Sequence, residues 1–132
     1  MIVKKFKIPF YKWSAIIIIA ESFDEKDKVI KALKPYNLMD EDLAEIDKGF
    51  EEHARDGARC FYHTGRLQAV VLCYPHTSNK ELVATLVHEG RHITDAIVET
   101  NGLEGVEAAA YLNEFIDLEM LKSYIKDEVY KI

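Results

Sequence analysis

The chain has 132 residues, of which 48% are hydrophobic and 30% are charged. That length fits a single domain over residues 1–132, and the composition excludes wholesale disorder. Lys and Arg number 17 against 23 Asp and Glu, which gives a net charge of −6. Because affinity for nucleic acid comes from clustered basic residues, we expect no nucleic-acid partner. The one basic cluster, near the start of the chain, is interpreted as a solvated strand edge: Lys4, Lys5, Lys7 and Lys12.

The amino-terminal part of the chain predicts one strand and two helices. Tyr11–Ala20 contains four consecutive isoleucines and predicts a buried strand, since β-branched side chains suit a pleated sheet. Asp24–Leu33 has the apolar spacing of a helix that stops at Pro35. Asp40 is expected to cap a second helix that ends near Gly57.

The rest of the chain predicts a hairpin followed by two long helices. Arg59–His63 and Leu67–Tyr74 are short apolar runs joined by a glycine-containing turn, which is typical of a β-hairpin. Asn79 is expected to cap a helix that reaches about Thr100, and a last helix is expected over residues 105–130. The order β-α-α-β-β-α-α predicts an α+β fold in which a short sheet, the amino-terminal strand plus the hairpin, packs on the helices.

Targeting signals and cysteines favour a cytoplasmic protein. The apolar run Trp13–Ala20 follows basic residues as in a signal peptide, but Pro9 and Lys12 interrupt the approach. No apolar run nears the ~20 residues that span a bilayer, so no membrane partner is expected. Cys60 and Cys73 are interpreted as reduced core thiols, although their place on paired strands leaves a cross-strand disulfide as the alternative.

One segment, Thr85–Asp95, carries chemistry and reads T-L-V-H-E-G-R-H-I-T-D. His88 and His92 are one helical turn apart and share a face, which lets both imidazoles reach one metal ion. Glu89 is rotated by about 100° from His88, where it can hydrogen-bond a water beside the ion. This is the H-E-x-x-H pattern of zinc hydrolases.

Spacing alone leaves the third metal ligand open. The extended pattern H-E-x-x-H-x-x-G-x-x-H fails, because Val98 stands at its last position. A strictly antiparallel pair of helices folded about Gly102 favours Glu114, whereas Glu107 requires a skewed crossing. The other candidates are Glu104, Asp95 and Glu99.

Thr85–Ile116 resembles the core of small H-E-x-x-H proteins often encoded by phages and prophages, which are minimal zincins of the gluzincin type. The similarity rests on the motif helix, on Gly102 at its end, and on the segment Glu107-Ala108-Ala109-Ala110-Tyr111-Leu112. The resemblance implies a small zincin-like domain that binds Zn²⁺ through His88, His92 and Glu107. It also implies a metallopeptidase in which Glu89 takes a proton from water and passes it to the leaving amine.

Four further residues are candidates for roles beside the metal ligands and the base. Tyr111 is the first candidate for the donor that steadies the oxyanion, and its alternative is a packing role between the two helices. His76 and Arg91 are weaker candidates for that donor, and Asp95 is a candidate to orient a ligand imidazole or is a plain surface charge. Gly90 inside a helix costs about 1 kcal/mol relative to Ala, which indicates a close neighbour there.

The expected substrate is a peptide or protein. If the strand Leu67–Tyr74 forms an exposed edge near the site, an extended peptide can pair with it. The alternative function is a catalytically inactive zincin-fold protein that serves as a binding or phage-associated accessory module. The sequence leaves the oligomeric state open.

Overall fold

The computed structural model describes residues 1–102 and 106–122 of the chain. It confirms the predicted α+β class. The strands are β1 (Ile2–Ile8), β2 (Trp13–Ile19), β3 (Ala58–His63) and β4 (Gln68–Cys73). The helices are α1 (Lys26–Leu33), α2 (Asp40–Glu51), α3 (Asn79–Asn101) and α4 (Val106–Lys122).

The sheet has one strand more than the sequence predicted. The basic segment at the start of the chain is itself β1, and the four strands lie in the order β1-β2-β4-β3. β1 is antiparallel to β2, β2 is parallel to β4, and β4 is antiparallel to β3. β1 and β3 are therefore the two edges, whereas β2 and β4 are internal.

Helices cover both faces of the sheet, which explains the run of isoleucines in β2. Ile16 and Ile18 belong to one core cluster, while Ile17 and Ile19 belong to the other. Because successive side chains of a strand point to opposite faces, an internal strand buried on both faces is apolar throughout. The first cluster joins the sheet to α1 and α2 through Val29, Leu33, Ile46 and Phe50. The second joins it to α3 and α4 through Leu82, Leu86, Ile93, Ile97, Leu112, Ile116 and Met120.

The helix ends differ from the predicted ones, most of all at the carboxyl end of α2, which lies at Glu51 and not near Gly57. Met39 is the N-cap of α2, so Asp40 lies in the first turn instead of capping it. Ser78 caps α3, where its side chain accepts a hydrogen bond from the backbone N–H of Glu81. Gly102 ends α3 in the left-handed conformation, with φ of 60°. The predicted end of the last helix, at residue 130, lies outside the described residues.

α4 packs against one particular side of α3. A Cβ placed on Gly90 would lie 2.6 Å from Oδ1 of Asp117, so the two helices approach closely there, as the sequence predicted. One turn further along, Oγ1 of Thr94 lies 3.0 Å from Oδ1 of Asn113. The side of α3 that carries Gly90 and Thr94 is therefore covered by α4.

The open edge beside α3 is β3, and not the strand Leu67–Tyr74 that the sequence suggested for peptide pairing. β4, the observed strand in that segment, lies between β2 and β3. The N–H of Tyr74 donates to the C=O of Gly57 at 3.0 Å. Since hydrogen-bonded and non-bonded pairs alternate in antiparallel strands, the backbone groups of Ala58, Cys60 and Tyr62 point away from β4, towards the open edge.

Candidate metal centre

The two histidines of the motif meet on the exposed surface of α3. Their Nε2 atoms lie 3.1 Å apart, and the two rings are nearly perpendicular, with an interplanar angle of 84°. Both side chains are exposed. The i, i+4 spacing of His88 and His92 thus produces the close pair of ring nitrogens that the sequence predicted.

Glu89 lies beneath this pair and is buried, with 6% of its surface exposed. One ligand atom from each of His88, Glu89 and His92 lies within 4.8 Å of the other two. Removal from water raises the pKa of the Glu89 carboxyl, while the two neighbouring histidines act in the opposite direction. The three side chains together form what we call the histidine–glutamate cluster.

The donor set of this cluster could hold a metal ion. With Zn–N bonds of about 2.0–2.1 Å, two nitrogens on a tetrahedral ion are about 3.4 Å apart, so the observed Nε2–Nε2 distance of 3.1 Å needs only a slight opening. Among residues 1–102 and 106–122, no other His, Cys, Asp or Glu joins the group. The described residues therefore offer two imidazoles and one carboxylate.

Two openings between β3 and α3 flank the cluster, and together they are called the cleft. On the His92 side the opening measures about 550 Å³ and is lined by Tyr62, Thr64, His92, Asp95, Ala96, Glu99 and Thr100. On the His88 side it measures about 390 Å³ and is lined by Asp56, Ala58, Ala84, Thr85, His88 and Glu89. The cluster therefore stands in the middle of a cleft whose other wall is an edge strand.

Tyr62 lines this cleft, and it was not among the site residues predicted from the sequence. Its hydroxyl lies beside the thiol of Cys60, and Glu89 and Asp95 are electrostatic neighbours of the phenol. Burial raises the pKa of Tyr62, and it raises that of Cys60 to about 12, so both groups stay neutral at physiological pH. Strand alternation places Cys60 and Tyr62 on one face, but nothing in the sequence shows that this face borders the motif helix.

Glu107 and Tyr111 lie on α4, away from the histidine pair. Gly90, which contacts α4, is two residues from both histidines and hence rotated by about 200° from each of them around α3. Glu107 is exposed in the first turn of α4 and is not part of the cluster. Its role as a ligand stays a prediction, as does the role of Tyr111.

Tyr111 borders a different part of the surface. Its side chain is 68% exposed. It lines an apolar groove of about 280 Å³ together with Ile8, Pro9, Phe10, Tyr11, Ala108, Leu112 and Phe115. The other carboxylates considered as ligands are also outside the cluster: Glu114 is exposed on α4, and Glu104 lies outside the described residues.

The weaker candidates for the donor role have partners already. Nε2 of His76 lies 2.8 Å from Oγ1 of Thr85, and its Nδ1 lies 2.5 Å from the backbone oxygen of Tyr74. Nε of Arg91 donates to Oδ1 of Asp95 at 2.9 Å. These contacts tie His76 to the first half of α3 and engage Arg91 and Asp95 with each other.

Comparisons with protein-family models, with curated proteins and with solved structures find no match to this chain. Within residues 1–102 and 106–122, no helix combines the length and apolarity needed to cross a membrane. Cys60 and Cys73 are free thiols, so the cross-strand disulfide considered from the sequence is not formed. The histidine–glutamate cluster and its cleft are therefore the features that bear on function.

Proposed function

We propose that this protein is a zinc-dependent hydrolase that cleaves peptide bonds. The observation that carries the proposal is the convergence of His88, Glu89 and His92 in the middle of an open cleft. His88 and His92 would hold the ion, which when bound lowers the pKa of a water molecule towards ~7 and polarises a carbonyl group. This pairing of imidazoles with an adjacent buried carboxylate is the arrangement that such hydrolysis requires.

Glu89 is the proposed general base. Its carboxylate is buried beside the two histidines, and burial raises its pKa above the ordinary value of a glutamate, which makes it a stronger base. It would accept a proton from the attacking water at a carboxylate oxygen and deliver that proton to the leaving amine. A carboxylate fully exposed to water would be a weaker base for this purpose.

The third protein ligand is sought among the carboxylates of α4, because Glu89, the carboxylate that lies beside the histidines, is the proposed general base. Glu107 is favoured by the resemblance to gluzincins. Zinc affinity of Glu107→Gln compared with Glu114→Gln separates the candidates on α4: a selective loss in Glu107→Gln supports the gluzincin arrangement, a selective loss in Glu114→Gln supports the strictly antiparallel one, and unchanged affinity in both excludes both as ligands.

The edge strand supports a peptide as the substrate. Backbone groups of Ala58, Cys60 and Tyr62 point to the open edge beside the cleft. An extended peptide can pair with such an edge and thereby lie across the cluster. We also infer a cytoplasmic location, which the free thiols of Cys60 and Cys73 support.

The test combines metal analysis with cleavage of a mixed peptide library. We expect about one zinc per chain, loss of zinc in His88→Ala and His92→Ala, and loss of cleavage with retained zinc in Glu89→Gln. Glu81→Gln, an exposed carboxylate on the same helix, and His63→Ala, on the hairpin, are the matched controls. Purified protein without zinc affinity, or a Glu89→Gln variant that cleaves like the wild type, would show that the mechanism is wrong.

A second candidate is a non-catalytic zincin-like binding module, including a phage-associated accessory role. The observation that favours it is the position of Glu107 on α4, on the side of α3 away from the histidines. Such a protein would use the cleft and the β3 edge to bind a partner without cleaving it. Zinc binding together with intact peptides after long incubation would select this second candidate.

A further inference from the structure

We propose that Tyr62, on the edge strand β3, is the hydrogen-bond donor of this site and contacts the carbonyl oxygen of a peptide that lies across the histidine–glutamate cluster. The inference rests on the proposed function, because that oxygen belongs to the substrate. It assigns the donor to the opposite side of α3 from Tyr111.

Tyr62 lies on the face of β3 that is turned towards α3. Ala58 and Cys60 pack against the core cluster that includes α3, while Phe61 packs against the cluster on the other side of the sheet. Since side chains alternate along a strand, Tyr62 projects on the same side as Cys60, towards α3. It is therefore on the face that meets the motif helix.

The neighbours of the Tyr62 phenol place it beside the cluster. The Tyr62 hydroxyl lies beside the Cys60 thiol, two residues back along the strand, so the ring leans from position 62 towards position 60. Glu89 is an electrostatic neighbour of both Cys60 and Tyr62. The ring also lines the same cleft as His92. Tyr62 therefore lies within electrostatic range of Glu89 and lines the same opening as His92.

The Tyr62 hydroxyl is free to change its hydrogen-bond partner. Tyr62 is 43% exposed, and its neighbouring thiol is a weak hydrogen-bond acceptor. An oxygen that gains negative charge during reaction is a far stronger acceptor, so the O–H group gains by turning to it. His76 and Arg91, by contrast, are held by hydrogen bonds of 2.8 Å and 2.9 Å to other side chains.

The backbone of Tyr62 is part of the open edge of the sheet. The N–H and C=O groups of Tyr62 itself point away from β4. A peptide that pairs with this edge brings its own backbone next to Tyr62 and next to the cluster at once. The residue that positions the peptide backbone and the residue that donates to its carbonyl oxygen would then be the same.

The experiment compares zinc-loaded wild type with Tyr62→Phe, which removes only the hydroxyl. The probe is acetohydroxamate, a small ligand that binds zinc through oxygen atoms and needs no substrate specificity. We expect an unchanged zinc Kd, an acetohydroxamate Kd raised about tenfold, and kcat for library peptides lowered by about 10²-fold with little change in KM. Tyr36→Phe, on the opposite side of the sheet, is the matched control.

Cys60→Ala separates donation to the ligand from a structural role. Cys60→Ala removes the thiol from the thiol–phenol contact and leaves the Tyr62 hydroxyl in place. We therefore expect it to keep wild-type acetohydroxamate affinity. Equal losses in Cys60→Ala and Tyr62→Phe, wild-type acetohydroxamate affinity in Tyr62→Phe, or lost zinc affinity in Tyr62→Phe would each overturn the inference. Wild-type protein that binds no zinc would instead overturn the proposed function, and with it this inference.

Discussion

Gly90 and Asp117 meet where α3 and α4 cross: a Cβ on the glycine would lie 2.6 Å from Oδ1 of the aspartate. The same Cβ would make ordinary contacts with Ile116 at 3.5 Å and Met120 at 3.6 Å. The residue midway between the two histidines thus lacks a side chain because a neighbouring helix occupies that space. This contact also determines that α4 and the histidine pair lie on different sides of α3.

Gly90→Ala is expected to destabilise the protein despite the higher helix propensity of alanine. Propensity alone favours Ala by about 1 kcal/mol, but crowding against Asp117 is of the overpacking kind that costs about 1–3 kcal/mol. We expect a net loss of about 1 kcal/mol in the free energy of unfolding. Urea unfolding, followed by the fluorescence of the single tryptophan, Trp13, measures it.

The double variant Gly90→Ala/Asp117→Ala is the control for that prediction. Removing the carboxylate opens the space that the new methyl group needs, so the double variant should be more stable than the sum of the two single changes indicates. Strict additivity, or a Gly90→Ala protein more stable than the wild type, would contradict the contact.

Asp117 is expected to make stability fall as the pH rises. Its Oδ1 is buried without a hydrogen-bond partner, and burial raises the pKa of this carboxyl above its ordinary value of 3.8. The folded state therefore favours the protonated form, so the contribution is fully present below pH 3.8 and is lost as the pH rises through the folded-state pKa. Asp117→Asn should remove this dependence, measured as the difference in unfolding free energy between variant and wild type from pH 3 to pH 7.

Asp56→Asn provides the comparison of opposite sign. Its carboxylate accepts hydrogen bonds from the N–H and the hydroxyl of Thr77, both at 2.6 Å, and these bonds lower its pKa. Its contribution is present above pH 3.8 and is lost as the pH falls through the depressed folded-state pKa. Parallel pH profiles for the two variants would show that the assigned causes are wrong.

Gly49→Ala is expected to destabilise the core on the other side of the sheet. A Cβ on Gly49 would overlap the ring of Tyr74, which is 2% exposed and packs edge-to-face on Phe50 at 5.3 Å between ring centroids. A buried ring cannot turn aside as a flexible chain does, so we expect a loss of about 1–3 kcal/mol in unfolding free energy. Combining Gly49→Ala with Tyr74→Leu should recover part of it, and no recovery would exclude the overlap as the cause.

Glu89→Gln is expected to stabilise the metal-free protein while abolishing cleavage. The raised pKa of Glu89 means that its charged form is disfavoured in the folded state, and the neutral amide avoids that penalty. The stability that the protonated acid contributes is present below the ordinary pKa of 4.5 and is lost as the pH rises through the folded-state pKa. The variant should therefore melt higher than the wild type at pH 7 in a chelator, with the gap closing near pH 4. Equal melting temperatures at pH 7 would mean that burial imposes no penalty on this carboxylate.

Much of the fold follows from local patterns in the chain. Runs of apolar and β-branched side chains predicted β2 and the hairpin, and the i, i+4 spacing predicted that His88 and His92 share one face of α3. Lys4, Lys5 and Lys7 were interpreted as a solvated strand edge, and they do lie on the edge strand β1, but this strand was not counted as a separate element of the sheet. The ends of α2 and α3 shifted because Met39 and Ser78, and not Asp40 and Asn79, occupy the N-cap positions.

The arrangement around the histidines could not be obtained in the same way. Spacing along two helices allows α4 to lie on either side of α3, and the choice depends on which pairs of side chains pack, as Gly90 and Asp117 do. The order of strands likewise depends on pairing between distant segments, which made β3 and not β4 the open edge. Tyr62 thereby became a neighbour of Glu89, although 26 positions of unrelated pattern separate them in the chain.

The chain by itself determined the chemistry available to this protein: two imidazoles and an adjacent carboxylate on one helical turn, because helix periodicity is a property of neighbouring residues. Only the tertiary structure decided what surrounds that turn, with an edge strand on one side and α4 on the other. Those contacts join residues far apart in sequence, and their energies depend on packing that no local pattern encodes.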